Sequence, residues 1–436
     1  MKRHRAIILT WLVGLFPALA AVIAVPWDQV AGVPAALNFL GRLTGIGGLG
    51  LMLAAAALSC RVPGFDKPFG GLTKLWQLHH WLGAAAFFLL LAHPLLLSLG
   101  NAHLSLDAAV ATLLPPLASG AVWLGWLALL LTMGFMASSF SFFGKPRYQR
   151  WKWLHRSSGL AIMLALAHTF YLGRTIAAPW STLIWYALAG LAVASLGYRF
   201  AFSRFWGRRR YRVQAIMEPA TDAVELALKP LDRPLHYSPG QFVYLTPLDR
   251  ALAAGYGEEH PYTLSSAPEE PVLRIAVKSL GDASRALQHI AVGSQVSVEG
   301  PYGNFFPETE EAGTTELWIA GGIGITPFLG RLRHLSNRDE PVNIHLVYCV
   351  QDRSRALFIE ELEELAQNIR GFKLSMHYFY REGPLTGDFL RQCCPDLAER
   401  QAYICGPIPL LALARRDLLA AGLPGHAITT EEFELP

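Results

Sequence analysis

Six long apolar runs in the first half of the chain restrict the folds that it can adopt. Lipid offers no hydrogen-bond partner to backbone N–H and C=O groups, so runs of this length must form helices whose hydrogen bonds are internal. Each run is near the roughly 20 residues that a helix needs to cross a bilayer. We therefore predict a membrane all-α six-helix bundle over residues 1–205. The runs cover about 6–25, 36–59, 76–99, 119–139, 156–173 and 179–200.

The composition divides the chain into two halves. Hydrophobic residues make up 52% and charged residues 16% of the 436 residues, which is too apolar for an ordinary soluble protein. Eleven of the twelve tryptophans lie at or before Trp206, and all but three acidic residues lie at or after Glu218. A membrane half followed by a soluble half is predicted. The modest net charge of +4 shows no nucleic-acid footprint, so no nucleic-acid partner is expected.

Basic residues predict the orientation of the membrane half. The N-terminus and the second and fourth connections carry eleven Lys and Arg residues, whereas the opposite connections carry only Arg174. Positive charges stay on the cytoplasmic side, so both termini are expected in the cytoplasm and the protein in the inner (plasma) membrane. The first run is longer than a typical signal-peptide core of about 7–15 residues, and we expect it to be retained.

The five cysteines form no CxxC pair, which argues against zinc and iron–sulfur sites. Four of them lie in the soluble half without the pattern of a disulfide framework, as suits a reducing cytoplasm.

Two pairs of histidines lie inside the apolar runs, where imidazoles are costly and usually functional. His79 and His93 are 14 residues apart, or about 3.9 turns and roughly 21 Å of rise, so their rings share a face. Starting from His80 instead gives about 3.6 turns and nearly opposite faces. The second pair, His155 and His168, has the less favourable 13-residue spacing, and a bend at the Ser157-Ser158-Gly159 stretch is expected to correct it.

Two histidines at two matched depths on two helices predict two haems, each held by one imidazole on either side. The inner haem would use His79 and His155, and the outer haem His93 and His168. Zinc would need its ligands much closer together. Arg42, the sole charge in the second run, could pair with a haem propionate; the alternative is that its side chain snorkels to the interface.

The soluble half changes pattern near residue 310. Over 206–310, short β-rich segments punctuated by Pro and Gly predict an antiparallel β-barrel. Over 311–436, strands alternate with helices, which predicts a parallel α/β sheet. The first strand of that sheet ends in "AGGIGITPF", where glycines would let backbone amides approach a pyrophosphate; a simple tight turn is the alternative. Cys405, Gly406 and Pro407 end another strand, and Cys405 could equally be a small buried hydrophobe.

Four motifs occur in a fixed order: "HPYTLSSAP", "GPYGNF", "AGGIGITPF" and "CGP". They resemble the ferredoxin-reductase-type flavin and pyridine-nucleotide module. Joined to six spans with two histidine pairs, nearly the whole chain resembles the NADPH oxidase and ferric reductase superfamily in a compact bacterial form. The resemblance implies an FAD-binding domain over 206–310, an NAD(P)H-binding domain over 311–436, and two b-type haems in the membrane domain.

The resemblance also assigns candidate residues. Cys405 would approach the nicotinamide, and Phe433 would shield the flavin, although Glu434-Leu435-Pro436 follow it. The flavin ring would be bordered by His260, Pro261, Tyr262 and Thr263, and its phosphates by Ser265 and Ser266. The FAD pyrophosphate region would be held by Lys278, Gly281 and Ser284. The nicotinamide nucleotide would meet Gly321, Gly322, Gly324, Thr326 and Pro327.

A transmembrane electron-transfer enzyme is therefore expected, in which NADPH or NADH reduces FAD and single electrons cross two haems to an external acceptor. Dioxygen giving superoxide is favoured over a ferric chelate, because the outer connections are short and nearly uncharged. A haem-free, membrane-anchored flavin reductase serving a separate partner is the rival, although no obligatory protein partner is evident. Arg353 and Arg355 could bind the 2′-phosphate of NADPH, so a modest preference for NADPH is predicted. The negative charge of Asp352 beside them would disfavour that phosphate.

Overall fold

The computed structural model describes residues 2–116, 119–139, 148–172, 179–203, 207–306, 314–338 and 340–432. The chain divides into two compact units, which we call the helical unit and the sheet unit. The helical unit comprises Met1–Val62 and Lys74–Phe202, and the sheet unit comprises Pro63–Thr73 and Ser203–Pro436. The connection 63–73 between two long helices thus belongs to the sheet unit.

The helical unit contains eight described α-helices. Five stretches are long and apolar enough to cross a membrane: His4–Ala24, Val33–Leu58, Leu72–Asn101, Gly120–Ala137 and Leu183–Phe202. The run predicted over 156–173 corresponds to a shorter helix, and residues 173–178 after it lie outside the described part. The described residues therefore contain five helices that are long and apolar enough to span a membrane, and the sixth span stays a prediction. The helices are α1 (Lys2–Ala24), α2 (Val33–Leu58), α3 (Leu72–Asn101), α4 (Leu106–Leu113), α5 (Gly120–Ala137), α6 (Tyr148–His155), α7 (Ser158–Leu172) and α8 (Pro179–Gly197), followed by a π-helical turn (Tyr198–Phe202).

Two local features of these helices bear on the predictions. The predicted outer connection 100–118 contains α4, which Ser105 caps by accepting a hydrogen bond from the backbone N–H of Ala108. The irregularity expected near His155 is confirmed, because α6 ends at His155 and α7 begins at Ser158.

Glycines let the helices of this unit approach closely. Gly41 and Gly48 on α2 face Leu97 and Leu90 on α3, and a β-carbon on either glycine would lie 2.8 Å from the facing leucine. Small residues of this kind are the usual means of packing helices in membranes.

The first part of the sheet unit is a six-stranded antiparallel sheet with the order β4-β3-β6-β1-β2-β5. A single bridge between Leu264 and Ile275 joins its two edges, so the sheet curls; the described ladders do not complete the barrel that the sequence predicts. The strands are β1 (Arg208–Ala220), β2 (Ala223–Pro230), β3 (Phe242–Pro247), β4 (His260–Thr263), β5 (Leu273–Lys278) and β6 (Gln295–Tyr302), and a short helix, α9 (Asp282–Leu287), follows β5.

The second part is a five-stranded parallel sheet with the order β11-β10-β7-β8-β9, as predicted. The central strand β7 is buried along nearly its whole length, which is typical of a parallel sheet covered on both faces. The chain reverses its direction of strand addition between β7 and β10, and open α/β sheets bind ligands at such a point. The elements are β7 (Thr315–Gly321), α10 (Thr326–Ser336), β8 (Asn343–Val350), α11 (Ile359–Asn368), β9 (Phe372–Tyr378), α12 (Phe379–Glu382), α13 (Gly387–Cys393), β10 (Gln401–Gly406), α14 (Ile408–Ala420) and β11 (Ile428–Glu432).

Candidate functional site

The four histidines of the helical unit form two separate pairs. His79 on α3 faces His155 at the end of α6, with ring centroids 6.1 Å apart. His93, further along α3, faces His168 on α7, with ring centroids 6.4 Å apart. The structure thus brings together the same partners that the sequence proposes.

Three of these imidazoles bond to backbone carbonyl groups. Nδ1 of His79 lies 2.8 Å from the carbonyl oxygen of Ala55. The corresponding distances are 2.6 Å from His93 to Gly41 and 2.7 Å from His168 to Ala121. A carbonyl oxygen only accepts, so Nδ1 carries the proton and Nε2 keeps a free lone pair. This tautomer is the one that a metal-binding histidine needs.

His155 is held in a different way. Its Nδ1 atom is buried and has no hydrogen-bond partner among the described residues. Its ring stacks on Trp151 at 5.2 Å and meets the edge of Phe135 at 5.3 Å. Aromatic packing therefore orients this ring.

The two pairs fit a haem iron held between imidazoles. An imidazole nitrogen lies about 2 Å from a metal that it binds, so two imidazoles on opposite sides of one iron have ring centroids roughly 6 Å apart. Both measured separations agree with this spacing. The neighbouring His80 is exposed, and its ring packs on His79 at 5.9 Å.

Sequence reasoning missed two glycines that adjoin the rings. A β-carbon on Gly45 would lie 2.6 Å from Nδ1 of His93, and one on Gly125 would lie 2.7 Å from Nδ1 of His168. The accepting carbonyls of Gly41, Ala55 and Ala121 were also missed, since a backbone acceptor leaves no mark in a sequence. The only available signal was the four-residue spacing of Gly41 and Gly45.

Arg42 follows Gly41 directly and is exposed. It therefore lies on the same turn of α2 as the carbonyl that accepts from His93. Its contact with a propionate stays a prediction.

A second candidate site lies where β7 and β10 end side by side. A β-carbon on Gly324 would collide with the carbonyl group of Cys405, and one on Gly321 would lie 2.5 Å from Leu410. Gly406, with φ of +157°, lies against Gly321, where a β-carbon would be 3.0 Å from the α-carbon of Gly321. The glycines therefore permit a close approach of two strand ends at the switch point, where a nucleotide could reach the backbone.

Gly322 gives this turn a left-handed conformation, with φ of +54°. Its carbonyl oxygen accepts a hydrogen bond of 3.0 Å from the hydroxyl of Tyr348. The amino group of Lys278 lies 3.9 Å from the position of a β-carbon on Gly322 and 3.3 Å from the carboxylate of Asp222. A positive charge at the end of β5 thus adjoins the glycine turn.

The thiol of Cys405 is fully buried, and burial, aided by the nearby Glu431, raises its pKa well above the ordinary value. Cys405 is therefore a neutral thiol. Glu431 is its register partner on β11, and burial, with a smaller contribution from Asp66, raises the pKa of Glu431 to about 8. The sequence analysis did not select Glu431.

On the flavin side, His260, Pro261, Tyr262 and Thr263 form β4, an edge strand of the antiparallel sheet. The four candidate residues therefore lie together on one strand. Burial raises the pKa of Tyr262, so its phenol stays neutral.

Ser265 and Ser266 are fully buried, and their hydroxyl groups form hydrogen bonds with other side chains. The hydroxyl of Ser265 donates to Glu225 at 2.6 Å, and that of Ser266 lies 2.7 Å from the hydroxyl of Tyr237. The geometry gives these side chains structural partners and offers no support for phosphate contacts.

The remaining predicted residues lie at turns and helix starts. Gly281 precedes α9, and its backbone N–H donates a hydrogen bond of 2.8 Å to the hydroxyl of Ser284. Thr326 and Pro327 form the first turn of α10, and Thr326 donates to the carbonyl of Ile323 at 3.0 Å. Pro407 precedes α14.

The two arginines after β8 differ in availability. Arg353 forms a two-point ion pair with Glu363, at 2.8 and 3.0 Å. Arg355 lies 3.8 Å from Asp352 and is the freer guanidinium of the two. Phe433 lies outside the described residues.

Three family models match the chain in succession. A ferric reductase-like transmembrane component matches residues 44–167, an FAD-binding domain matches 206–305, and an oxidoreductase NAD-binding domain matches 318–416.

Individual proteins resemble about half of the chain. The ferredoxin reductase component of 3-ketosteroid-9-alpha-monooxygenase from Mycolicibacterium smegmatis is 32% identical over 206 residues, which cover 46% of this chain and 56% of that protein. A flavohemoprotein from Bordetella pertussis is 28% identical and covers 54% of this chain and 64% of its own length. The chain thus spans between about half and two thirds of the length of these relatives.

Among solved structures, the flavohem-like FAD/NAD-binding domain of nitric oxide dioxygenase from Vibrio cholerae is similar, with 24% identity and a TM-score of 0.46. The match covers 51% of this chain and 98% of that domain.

Proposed function

The chain has the domain architecture of the NADPH oxidase and ferric reductase superfamily, and we propose that it passes electrons from NAD(P)H, through FAD and two haems, to an acceptor across the membrane. That it is a membrane-embedded oxidoreductase with FAD- and NAD-binding domains follows from the matched models. The haems, the direction across the membrane and the acceptor are the proposed parts.

The observation that carries the proposal is the pairing of the four histidines. Each pair has the ring separation of two imidazoles about one iron. In three of the four rings a backbone carbonyl holds the proton on Nδ1, which would leave Nε2 to bind a metal. When bound, the nucleotide and flavin would supply hydride transfer, and the haems single-electron transfer.

In the helical unit, the residues would hold and orient the iron atoms. His79 and His155 would bind one iron, and His93 and His168 the other. Two imidazoles on each iron would leave no coordination position for an acceptor. The surrounding side chains of α2, α3 and α5 are largely apolar and would exclude water.

In the sheet unit, the residues would bind and align the nucleotides. Gly321, Gly324 and Gly406 would let the nicotinamide nucleotide lie against the ends of β7 and β10, beside the neutral thiol of Cys405. Lys278 would place its charge near phosphate groups. β4 would border the flavin ring, and Phe433 is retained as the candidate flavin shield.

For the acceptor, we propose dioxygen, which would leave as superoxide. If two imidazoles hold each iron, the acceptor would not be a metal ligand, and dioxygen would need no binding site of its own. Asp28, Asp107 and Arg174 are the only formal charges in the predicted outer connections 26–35, 100–118 and 174–178, which therefore offer few groups to bind a bulky ferric chelate. Ferric-chelate reduction is the alternative acceptor reaction.

We further propose that both termini face the cytoplasm and that the protein resides in the inner (plasma) membrane. The excess of Lys and Arg in the N-terminus and in the second and fourth connections supports this orientation. NAD(P)H would then be oxidised in the cytoplasm.

A pyridine-haemochrome assay of the purified protein tests the central part of the proposal. We expect two haems per chain in addition to FAD. A flavin-containing protein with no haem would contradict the proposal and support a membrane-anchored flavin reductase that serves a separate partner.

Cytochrome c reduction with NADPH, with and without superoxide dismutase, tests the acceptor. Inhibition by the dismutase is expected. An unchanged rate, together with fast anaerobic reduction of a ferric chelate, would favour the ferric reductase reaction instead.

A further inference from the structure

The imidazoles of His93 and His168 are held by two local arrangements of the same form. In each, the ring donates to the carbonyl of one residue in a neighbouring helix and lies against a glycine four residues later. On α2 these residues are Gly41 and Gly45. On α5 they are Ala121 and Gly125.

Helix geometry explains why the glycine must stand at that position. Residues four apart in a helix lie on one face, one turn above each other. A ring that reaches the carbonyl of the first residue therefore passes over the α-carbon of the second. A β-carbon at Gly45 or Gly125 would lie 2.6 or 2.7 Å from Nδ1 of the histidine, which is too close for any ordinary contact.

The other histidine pair lacks this arrangement. His79 donates to Ala55, whose carbonyl lies in the last turn of α2. There the backbone N–H of Ser59 bonds to Ala56, because the helix is ending. His155 has no such carbonyl partner among the described residues. The carbonyl-and-glycine arrangement is thus confined, in the described part of the chain, to one pair.

We propose that Gly45 and Gly125 are positioning residues that keep His93 and His168 bonded to their carbonyls and thereby set the redox potential of the iron held by that pair. The inference rests on the proposed function. A hydrogen bond from Nδ1–H to a carbonyl makes Nε2 a stronger donor, and hydrogen bonding around an axial ligand is one means by which a protein adjusts haem potential. A stronger donor favours the ferric iron, so loss of the bond shifts the midpoint potential in the positive direction.

The test compares Gly45→Ala and Gly125→Ala with two matched controls. Gly48→Ala crowds Leu90 on the same α2–α3 contact, at 2.8 Å, without touching a histidine. Gly134→Ala lies on α5 with open space around the new methyl group. Full-length protein is purified in detergent, its haem and flavin per chain are counted, and both haem midpoints are measured by anaerobic absorbance titration.

For Gly45→Ala and Gly125→Ala, we expect either the loss of one haem of two or a positive shift of one midpoint, with the second midpoint unchanged. Gly48→Ala and Gly134→Ala should keep two haems with wild-type midpoints. Two haems with both midpoints at wild-type values in the Gly45 and Gly125 variants would overturn the inference and leave the proposed function intact.

A wild-type protein that contains flavin but no haem would overturn the proposed function, and the inference with it. If Gly45→Ala fails to fold, as judged by aggregation on size-exclusion chromatography, the comparison of Gly125→Ala with Gly134→Ala tests the inference, since both glycines lie on α5.

Discussion

The helical unit and the sheet unit hold their candidate site residues by different means. In the helical unit, histidines donate to backbone carbonyls of neighbouring helices, as His93 does to Gly41. In the sheet unit, a network of charged side chains joins the antiparallel and parallel sheets. Arg333 on α10 contacts Glu225 on β2 at 2.7 Å and Glu361 on α11 at 2.6 Å.

The difference follows from the solvent of each region. Placing a charged side chain in lipid costs free energy. A backbone carbonyl of a helix can accept a hydrogen bond without bringing a charge into the membrane. In water, a carboxylate can be buried if a guanidinium accompanies it. Changes in the helical unit should therefore act locally on one histidine pair, whereas loss of a charge in the sheet unit should affect the stability of the whole unit.

The largest expected effect comes from removing a histidine of the helical unit. His168→Leu or His93→Leu should remove one haem of two while FAD remains bound and NAD(P)H still reduces it, because the sheet unit does not depend on that ring. Haem and flavin counts, with stopped-flow flavin reduction, measure this. His80→Leu serves as the control and should keep both haems; two haems in the His168 or His93 variant would refute the ligand assignment.

Next in size is the glycine turn of the sheet unit. Gly324→Ala places a methyl group against the carbonyl of Cys405, so the ends of β7 and β10 must separate. Misplacing reacting groups by about 1 Å can cost on the order of 100-fold in rate, and we expect a loss of this size in flavin reduction by NAD(P)H.

The control for this change is Gly425→Ala, whose methyl group would be 3.7 Å from its nearest neighbour. Its rate should match that of wild type. Equal rates for Gly324→Ala and Gly425→Ala would mean that the close approach of the strands has no bearing on nucleotide binding.

The charged network should respond through stability. Arg333→Met removes the nearer of the two guanidinium groups that contact the carboxylate of Glu225, which is 1% exposed; Arg274 stays at 3.5 Å. Breaking a buried ion pair costs about 3 kcal/mol or more, so the thermal release of FAD should occur at a distinctly lower temperature. Arg416→Met removes a guanidinium that is 68% exposed and pairs with the neighbouring Asp417, so it should leave that temperature nearly unchanged. Similar release temperatures for both variants would contradict the comparison.

A smaller, pH-dependent effect is expected from Glu431. Its pKa is raised by burial to about 8, so the folded protein holds a proton there that the unfolded chain has released. Stability is then greatest below the ordinary carboxyl pKa and declines as the pH rises toward 8. Melting temperatures between pH 5 and 9 should show this decline in wild type and a reduced one in Glu431→Gln. If the melting temperatures of wild type and Glu431→Gln change with pH in the same way, Glu431 is not the group responsible.

The smallest effect concerns the choice of nucleotide. Arg355 is the freer of the two arginines after β8, so Arg355→Ala should lower kcat/KM for NADPH by a few-fold and leave that for NADH unchanged. Arg353→Ala should change the ratio of kcat/KM for NADPH to that for NADH less, because the guanidinium of Arg353 is already paired with Glu363. Equal efficiency with both nucleotides in wild type, unaltered in Arg355→Ala, would end the proposed preference.

Much of the fold could be predicted from the sequence because its signals are local. Apolar length predicts helices, and strand–helix alternation predicts the parallel sheet. The helical repeat of 3.6 residues selects His79 rather than His80 as the partner in phase with His93. Motif order places Gly321, Gly324 and Cys405 at strand ends, where the structure brings them together.

Only the tertiary structure decided which atoms surround those residues. The resemblance selected Ser265 and Ser266, but their hydroxyl groups are hydrogen-bonded to Glu225 and Tyr237. The sequence analysis selected neither Gly125 nor Glu431. The physical reason is that a repeat within one helix is fixed by its own hydrogen bonds, whereas the register between two helices depends on the packing of distant segments. His168 reaches a carbonyl 47 positions earlier in the chain, and local periodicity does not specify that contact.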